Sequence, residues 1–449
     1  MIKYFLLIIF STSVFAQIVD FNDVLNLTLQ NDKNLQKQKL NTKISKLDIE
    51  NINAISYGKI NLSEEISRTN HSGYVFNSKL SSREASFNDF GFSENNGDFN
   101  KEPKNLNYPD SRNNFTTKLT YDLPLFTGFK LSKQKEILKL KQKAEILKLT
   151  LNKKYLSYEV LKAYNQAVIA KEFINASKKA QDSINFVLKS AIAFHKEGLV
   201  TKIDVNQARL HKLNINAQVI EATNNYELAL EYLRFLSSND KISNVKELKT
   251  IHYDITNFTT LLHEALKNRD ELKLQKINKS AMKKNIDIAK SSYFPSVYSH
   301  LEYGFNDDKL TFEDDKDYYT AMIGINYSLF DNTKSIKKQQ TKITYKQSIL
   351  DYEKTKDFIK LELQKDLLNV KTKEAILKEK VQAKILAKEI VEQSKLMYKN
   401  RLISMSELLK QEANFQNSKA QVLMAKYENT LALAKITLDL GLNLKGKND

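Results

Sequence analysis

The 449-residue chain contains no cysteine and no tryptophan, and it has only 10 glycines and 4 prolines. The absence of cysteine excludes disulfide bonds, thiolate metal sites and the attachment of a lipid to a cysteine. After the first residues no apolar run is long enough to span a bilayer as a helix, and the mean hydropathy is −0.47. If the mature chain enters a membrane, strands must cross it.

Motifs that carry enzyme chemistry are missing as well. The 6 histidines are scattered without metal-ligand spacing, and no glycine-rich phosphate loop, nucleophile elbow or His-Glu helix motif is present. We therefore expect neither an enzyme nor a bound cofactor or metal. The formal net charge of +17 would permit nucleic-acid binding, but basic residues lie beside acidic ones along predicted helices. We expect solvated helix faces and no nucleic-acid partner.

Residues 1–16 have the pattern of a secretory signal peptide. A start that contains Lys3 is followed by the apolar run 5–10, and small or apolar residues lead to Ala16. The apolar run is shorter than the roughly 20 residues that a membrane helix needs. We predict cleavage after Ala16 and export of the mature chain.

The positions of glycine and proline predict helices of unusual length. These residues are absent from the stretches 129–197, 199–294 and 325–440. Within the first stretch, apolar residues recur at steps of three or four, which is typical of a helix that packs on other helices. Two helices over 129–197 and 333–400 would each be about 100 Å long at ~1.5 Å per residue. Four further stretches, 20–56, 202–236, 259–291 and 405–440, predict helices of about half that length. Two of these shorter helices placed end to end would equal one long helix in length.

The sequence also indicates an internal duplication. Phe21, Leu25 and Leu29 return as Phe258, Leu262 and Leu266, which is the same spacing 237 positions later. Likewise, Leu125-Phe126-Thr127-Gly128 returns as Leu329-Phe330-Asp331-Asn332. We predict two structural repeats, each with a short helix, two strands, a long helix and a returning short helix.

Four segments alternate apolar and polar residues with the period of a strand, and these are 58–67, 115–125, 297–305 and 319–329. Each has about the 9–11 residues of a tilted transmembrane strand. A soluble sheet with one wet face is the alternative, but the signal peptide and the long helices favour the membrane. Since single-chain barrels begin at about eight strands, we expect a barrel shared between subunits.

The predicted domain organisation follows from these elements. A signal peptide at 1–16 is followed by a first short helix at 17–57, two strands at 58–126 with a long extracellular loop at 68–112, and a long helix with a returning helix at 127–236. An equatorial segment at 237–258 leads to the second half. This half has a short helix at 259–292, two strands with a short loop at 293–330, a second long helix and returning helix at 331–440, and a tail at 441–449. The predicted fold class is mainly α, a long antiparallel helical barrel with four transmembrane strands per chain that contribute to a β-barrel shared between subunits.

Several motifs, in this order and duplicated, resemble those of the TolC-like family of outer-membrane efflux and secretion channels. They are Leu123-Pro124-Leu125-Phe126-Thr127-Gly128 with its echo at 327–331, Ser-Tyr-Phe-Pro-Ser at 292–296, and the two helix-turn-helix tips at 195–205 and 398–408. The resemblance covers nearly the whole mature chain.

The resemblance implies a homotrimer whose helical end in the periplasm closes at an aperture. The family's acidic site corresponds to Glu407, and Lys410 stands where a second acid is frequent. The family's tyrosine corresponds to Tyr398, and its aspartate partner to Asp204. Arg401 occupies the place of a glycine. The alternatives are that Glu407 and Asp204 are only helix caps and that Tyr398 is only a packing residue.

The tips themselves have helix-ending and helix-starting signals. Gly198 can end a helix in the left-handed conformation, and Thr201 with Asp204, or Ser404 with Glu407, forms a capping-box pattern. By resemblance, the tip turns also dock a periplasmic adaptor, and the residues concerned are Gly198, Leu199, Thr201, Leu402 and Ser404.

The function implied is that of a passive channel in the cell outer membrane, with its helical part in the periplasm. It would be the exit duct of a tripartite efflux pump or a type I secretion system, opened at its tips by the adaptor and served by an inner-membrane transporter. Outer-membrane lipid would surround the barrel. A soluble periplasmic coiled-coil adaptor or scaffold is the main alternative, and a filamentous coiled-coil protein is the second.

Overall fold

The computed structural model of the chain describes residues 17–444. The predicted signal peptide and positions 445–449 of the predicted tail lie outside the described residues. Within 17–444 the chain is mainly helical, as the sequence predicts, and its strands form two small sheets. No helix in this range is apolar over enough length to cross a membrane.

Eleven α-helices account for most of the described chain, and they are α1 (Phe21–Asn31), α2 (Lys33–Ile55), α3 (Ser72–Ser81), α4 (Phe92–Asn95), α5 (Lys104–Asn107), α6 (Lys130–Lys196), α7 (Lys202–Ser237), α8 (Phe258–Asn268), α9 (Asp270–Ser291), α10 (Thr333–Lys399) and α11 (Met405–Asp439). The strands are β1 (Gln17–Val19), β2 (Lys59–Thr69), β3 (Arg112–Thr127), β4 (Ile242–Val245), β5 (Ser296–Asp307) and β6 (Asp317–Asn326).

Helix lengths recur in the same order along the two halves. Helices α1 and α8 have 11 residues each, α2 and α9 have 23 and 22, α6 and α10 have 67 each, and α7 and α11 have 36 and 35. The order of these lengths is compatible with the predicted duplication, and the two structural repeats stay a prediction.

Both predicted short helices near the start of a repeat are divided in two. Asp32 has a ψ of 122° after α1, and its carboxylate accepts a 2.6 Å hydrogen bond from the Leu35 backbone N–H. Arg269 has a ψ of 125° after α8, and its guanidinium pairs with Glu362 at 2.8 Å. Extended backbone at these residues ends one helix, and the next starts immediately.

The chain divides into two compact units, and within the described residues these are 17–42, 144–276 and 350–444 for the first and 43–143 and 277–349 for the second. The first unit has three apolar clusters. One surrounds a parallel sheet of β1 and β4, in which Val19 lies opposite Val245, and it buries Phe21, Tyr164 and Leu233. The sequence predicts only a helix break at 237–258, because a four-residue strand has too little periodic signal to be recognised.

The other clusters of the first unit join helices directly. One packs α8, α10 and α11 through Leu261, Leu363 and Ile436. The other packs the ends of α6, α7, α10 and α11 through residues such as Val187 and Leu408. Burial of each such side chain contributes about 1.5–3 kcal/mol relative to exposure.

The second unit contains an antiparallel sheet in the order β2-β3-β5-β6. Its strands have 11, 16, 12 and 10 residues. Strand β6 ends at Asn326, three residues earlier than the sequence pattern predicts. The predicted loop 68–112 contains α3, α4 and α5, so it is partly helical. Helix α3 forms because Val75 and Ser78 turn the same face inward and are both buried.

Candidate functional site

The four-stranded sheet has two unlike faces. Residues directly opposite one another in antiparallel strands share a face, so the register defines rows across the sheet. One face carries apolar rows, and two of them are Ile60-Tyr121-Leu301-Ala321 and Leu62-Leu119-Tyr303-Tyr319. Leu62 is 75% exposed and Ile323 is 71% exposed, although both are large apolar side chains.

The opposite face carries polar and charged side chains. On it, His300 Nδ1 lies 2.7 Å from Asp122 Oδ1, and the Tyr318 hydroxyl donates a 2.8 Å hydrogen bond to Glu302. Lys118 Nζ lies 3.9 Å from Glu302. The sequence pattern shows the alternation of these residues but not this cluster, because strand register brings together residues that are far apart in the chain.

The first helix tip connects α6 to α7. Gly198 has a φ of +65°, and the Leu199 N–H donates a 2.8 Å hydrogen bond to the Phe194 carbonyl, which ends α6 as the sequence predicts. Thr201 caps α7 in a reciprocal capping box with Asp204, whose Oδ2 accepts from both the backbone N–H and the hydroxyl of Thr201, at 2.9 and 2.7 Å.

The second helix tip, between α10 and α11, has the same backbone geometry with a different residue. Arg401 has a φ of +63°, and the Leu402 N–H donates to the Met397 carbonyl at 2.8 Å. Ser404 accepts a 3.2 Å hydrogen bond from the Glu407 N–H, so it caps α11.

Glu407 and Lys410 lie on the exposed first turns of α11. Lys410 Nζ is 3.9 Å from a Glu407 oxygen. The other Glu407 oxygen accepts a 2.6 Å hydrogen bond from Gln411. The Glu407 charge is therefore partly neutralised within its own helix.

The structure does not bring Tyr398 and Asp204 into a hydrogen bond. The Tyr398 hydroxyl is buried and has no hydrogen-bond partner among residues 17–444. The centroid of the Tyr398 ring lies 6.3 Å from that of the Phe194 ring. Burial raises the pKa of Tyr398, and the charge of Asp204 adds to the shift. The predicted bond is absent because the Asp204 carboxylate is held at the third helical position of α7, where it caps the helix.

Near the helix tips, a polar cluster that the sequence analysis missed links α6, α10 and α11. Glu412 of α11 is buried, and its Oε1 lies 2.6 Å from Lys395 Nζ of α10 and 3.1 Å from the Ser183 hydroxyl of α6. The same carboxylate also interacts electrostatically with His211 of α7. Burial lowers the pKa of His211, and Glu412 opposes this shift. In the sequence, the only sign of this cluster is that Glu412 interrupts the apolar stripe of α11.

Comparison with known proteins identifies the family. Residues 24–239 and 261–442 match the family model described as outer membrane efflux protein. The chain belongs to this family. Its members are channels and not enzymes, which confirms the resemblance to the TolC-like channels and the expectation that the chain is no enzyme.

Solved structures of the family share the fold at low sequence identity. A structure of CusC, described with the conformational changes that accompany folding and transmembrane channel formation, is 14% identical with a TM-score of 0.78, and the match covers 95% of this chain and 93% of that one. The Campylobacter jejuni CmeC outer membrane channel is 17% identical with a TM-score of 0.76, covering 95% and 87%.

The open state of the Neisseria gonorrhoeae MtrE outer membrane channel is 14% identical with a TM-score of 0.75, covering 96% of this chain and 90% of that one. No curated protein sequence gives a significant match. At these identities the structural likeness concerns the fold, and the family model carries the functional statement that this is an outer membrane efflux protein.

Proposed function

We propose that this protein is the exit duct of a tripartite efflux pump or a type I secretion system, a passive channel built from three copies of the chain. The observation that carries the proposal is the four-stranded sheet with one exposed apolar face and one charged face, whose edge strands β2 and β6 pair with no further strand of residues 17–444. In a family of outer membrane efflux proteins, such a sheet suits lipid on one side and water on the other.

The edges of the sheet support a barrel shared between chains, and the number of three chains is taken from the resemblance to the TolC-like family. Four strands are too few to close a barrel, which needs about eight or more, and unpaired strand edges bind other strands. If β6 of one chain pairs with β2 of the next, three chains complete one barrel. The polar cluster around His300 and Glu302 then lines the water-filled interior.

The helix tips are proposed to form the periplasmic entrance. Glu407, Lys410 and Arg401 lie at the second tip and Asp204 at the first. Tyr398 packs in the apolar cluster between the ends of these helices. An adaptor is proposed to dock on the tip turns at Gly198, Leu199, Thr201, Leu402 and Ser404 and to connect the channel to an inner-membrane transporter, which supplies the energy.

The membrane role is tested by placing the same charge on either face of β2. Leu62→Arg puts a cation on the apolar face, where arginine costs about 2–4 kcal/mol at the bilayer midplane. Ser63→Arg puts it on the opposite face of the same strand. We expect Ser63→Arg to fractionate with the outer membrane, to migrate as a heat-modifiable oligomer and to conduct in planar bilayers, and Leu62→Arg to be depleted from the outer membrane.

Two results would contradict the proposal. One is that Leu62→Arg and Ser63→Arg reach the outer membrane in equal amounts and conduct equally. The other is recovery of the unmodified mature chain in the soluble periplasmic fraction, which would favour the adaptor or scaffold alternative.

The aperture is tested by ion selectivity. Lys410→Ala removes the cation that partly neutralises Glu407, so the ratio of potassium to chloride permeability should rise in reversal-potential measurements. Glu407→Gln should lower it. If neither variant changes the reversal potential, Glu407 and Lys410 do not face the conducting path.

A further inference from the structure

A cleft in the second unit lies where the strands meet the helices. It has a volume of about 710 Å³ and lies between the end of β3, the corner between α9 and β5, the end of β6 and the first turns of α10. Its walls combine lysines with serine, threonine and asparagine side chains, and none of the carboxylates within 17–444 lines it.

Three ammonium groups in the cleft lack a neutralising partner. Among residues 17–444, Lys130, Lys334 and Lys337 have no carboxylate oxygen within 4.0 Å. Lys334 donates a 3.0 Å hydrogen bond to the Ser328 carbonyl. The neighbouring acid, Asp331, affects Lys334 electrostatically, but its carboxylate accepts both hydrogen bonds that Thr333 donates. Unpaired positive charges that share one cleft create a potential that attracts an anion.

Most hydroxyl groups in the wall already donate a hydrogen bond. Ser291, Ser292 and Thr341 donate to backbone carbonyls, so their protons are already engaged. The remaining donors are mainly the lysine ammonium groups, each with three N–H bonds, of which Lys334 uses one for the Ser328 carbonyl. This donor set suits a phosphate, which offers several strong acceptor oxygens.

Apolar side chains beside the cleft indicate where that phosphate comes from. Leu329 and Phe330, in the segment that connects β6 to α10, are 89% and 90% exposed. Tyr293 lies under two lysines, with its ring centroid 6.0 Å from Lys334 Nζ and 5.4 Å from Lys338 Nζ. Lysines and aromatic rings beside exposed apolar residues at the end of membrane strands are the pattern of a membrane interface.

We propose that this cleft binds the headgroup phosphate of an anionic phospholipid, with Lys130, Lys334 and Lys337 contacting the phosphate and Leu329 and Phe330 contacting the acyl chains. The inference rests on the proposed function, because a lipid reaches the cleft only if the sheet lies in the membrane.

The test uses the mature full-length oligomer purified in detergent, with added phosphatidylglycerol as the probe and native mass spectrometry as the readout. We expect bound phosphatidylglycerol that survives detergent exchange. Lys334→Gln with Lys337→Gln should weaken it about thirtyfold, since each lysine near an anionic lipid contributes roughly a factor of five. The control, Lys371→Gln with Lys378→Gln, removes the same charge from exposed positions further along α10 and should bind as the unmodified chain does.

Three outcomes would overturn the inference. The first is equal retention of lipid in both double variants. The second is displacement of the lipid by inorganic phosphate at millimolar concentration, which would assign the cleft to free phosphate. The third is dissociation of the oligomer in Lys334→Gln with Lys337→Gln while lipid binding persists, which would assign the cleft to a neighbouring copy. Outer-membrane localisation is measured separately, so protein in the outer membrane without lipid retention contradicts this inference alone.

Discussion

Lys395 of α10 forms a 2.6 Å ion pair with Glu412 of α11, and Glu412 is only 6% exposed. Ser183 of α6 donates to the same carboxylate oxygen, so one buried acid holds three helices near the tips. Buried carboxylates are stable only when they are paired and hydrogen-bonded. This cluster therefore helps to hold α6, α10 and α11 of one chain together near the helix tips.

We predict that Lys395→Met lowers the free energy of unfolding by about 1–3 kcal/mol, because the buried carboxylate loses its strongest donor. The matched control is Lys388→Met on the same helix, where Lys388 and Glu392 are both well exposed. That variant should change stability by less than about 0.5 kcal/mol. Denaturant unfolding of the purified variants measures both, and equal effects would show that the ion pair is not buried in the assembled protein.

The separation of Tyr398 from Asp204 predicts that the two residues act independently. Tyr398→Phe should leave stability within about 1 kcal/mol of the unmodified chain, because the hydroxyl that it removes has no hydrogen-bond partner in the described part of the chain. Asp204→Ala should lower stability by about 1 kcal/mol through loss of the capping box. A double-mutant cycle, with unfolding and single-channel conductance as readouts, should give a coupling near zero. A large coupling would indicate that the hydrogen bond predicted from the family resemblance forms in the assembled closed channel.

The left-handed residues at the two tips form a natural pair for substitution. Arg401→Gly should raise the free energy of unfolding by about 1 kcal/mol, since a side chain at positive φ costs roughly 1–2 kcal/mol that glycine avoids. Gly198→Ala should lower stability by a similar amount. A Cβ at Gly198 would meet no atom within 4 Å, so the loss there is purely conformational. If both variants lower stability, the Arg401 side chain makes compensating contacts in the assembly.

Asp439 predicts a pH dependence of stability. Burial and the neighbouring Asp366 carboxyl raise the pKa of Asp439 to about 7, against the lowering effect of Lys435. A carboxyl whose pKa is higher in the folded state stabilises the fold when it is protonated. That contribution is complete below the pKa of about 4 in the unfolded chain, and it falls as pH rises through the folded value.

Asp439→Asn should therefore remove a decline in melting temperature between pH 4 and pH 7 that the unmodified chain shows. The substitution keeps a hydrogen-bonding side chain of nearly equal size. Glu392→Gln, at an exposed position, should leave the decline unchanged. The same pH profile in the unmodified chain and in Asp439→Asn would assign the decline to other groups.

Much of the architecture could be read from the sequence, because its signals are local. The lack of glycine and proline over 129–197 and 325–440 permits the long helices α6 and α10, and period-two alternation identifies β2, β3, β5 and β6. Gly198 and the capping patterns at Thr201 and Ser404 locate the tips. Arg401 in the left-handed conformation shows that the backbone of the second tip is maintained without a glycine.

Other features needed the tertiary structure, because they join residues that are distant in the chain. The pairing of β1 with β4, the ion pair of Lys395 with Glu412 and the row that brings Asp122 to His300 depend on register and on helix packing, for which a single sequence has no signal. The breaks at Asp32 and Arg269 were also missed, since neither residue is a strong helix breaker.

The sequence by itself determined the helix lengths, the strand pattern and the tip turns, since backbone conformational preferences and side-chain periodicity are properties of short segments. Only the tertiary structure decided which polar groups meet. Among residues 17–444, it left the Tyr398 hydroxyl without a hydrogen-bond partner, and it gathered three lysines into one cleft that no carboxylate lines. Such contacts depend on angstrom-scale positions that only the packed chain defines.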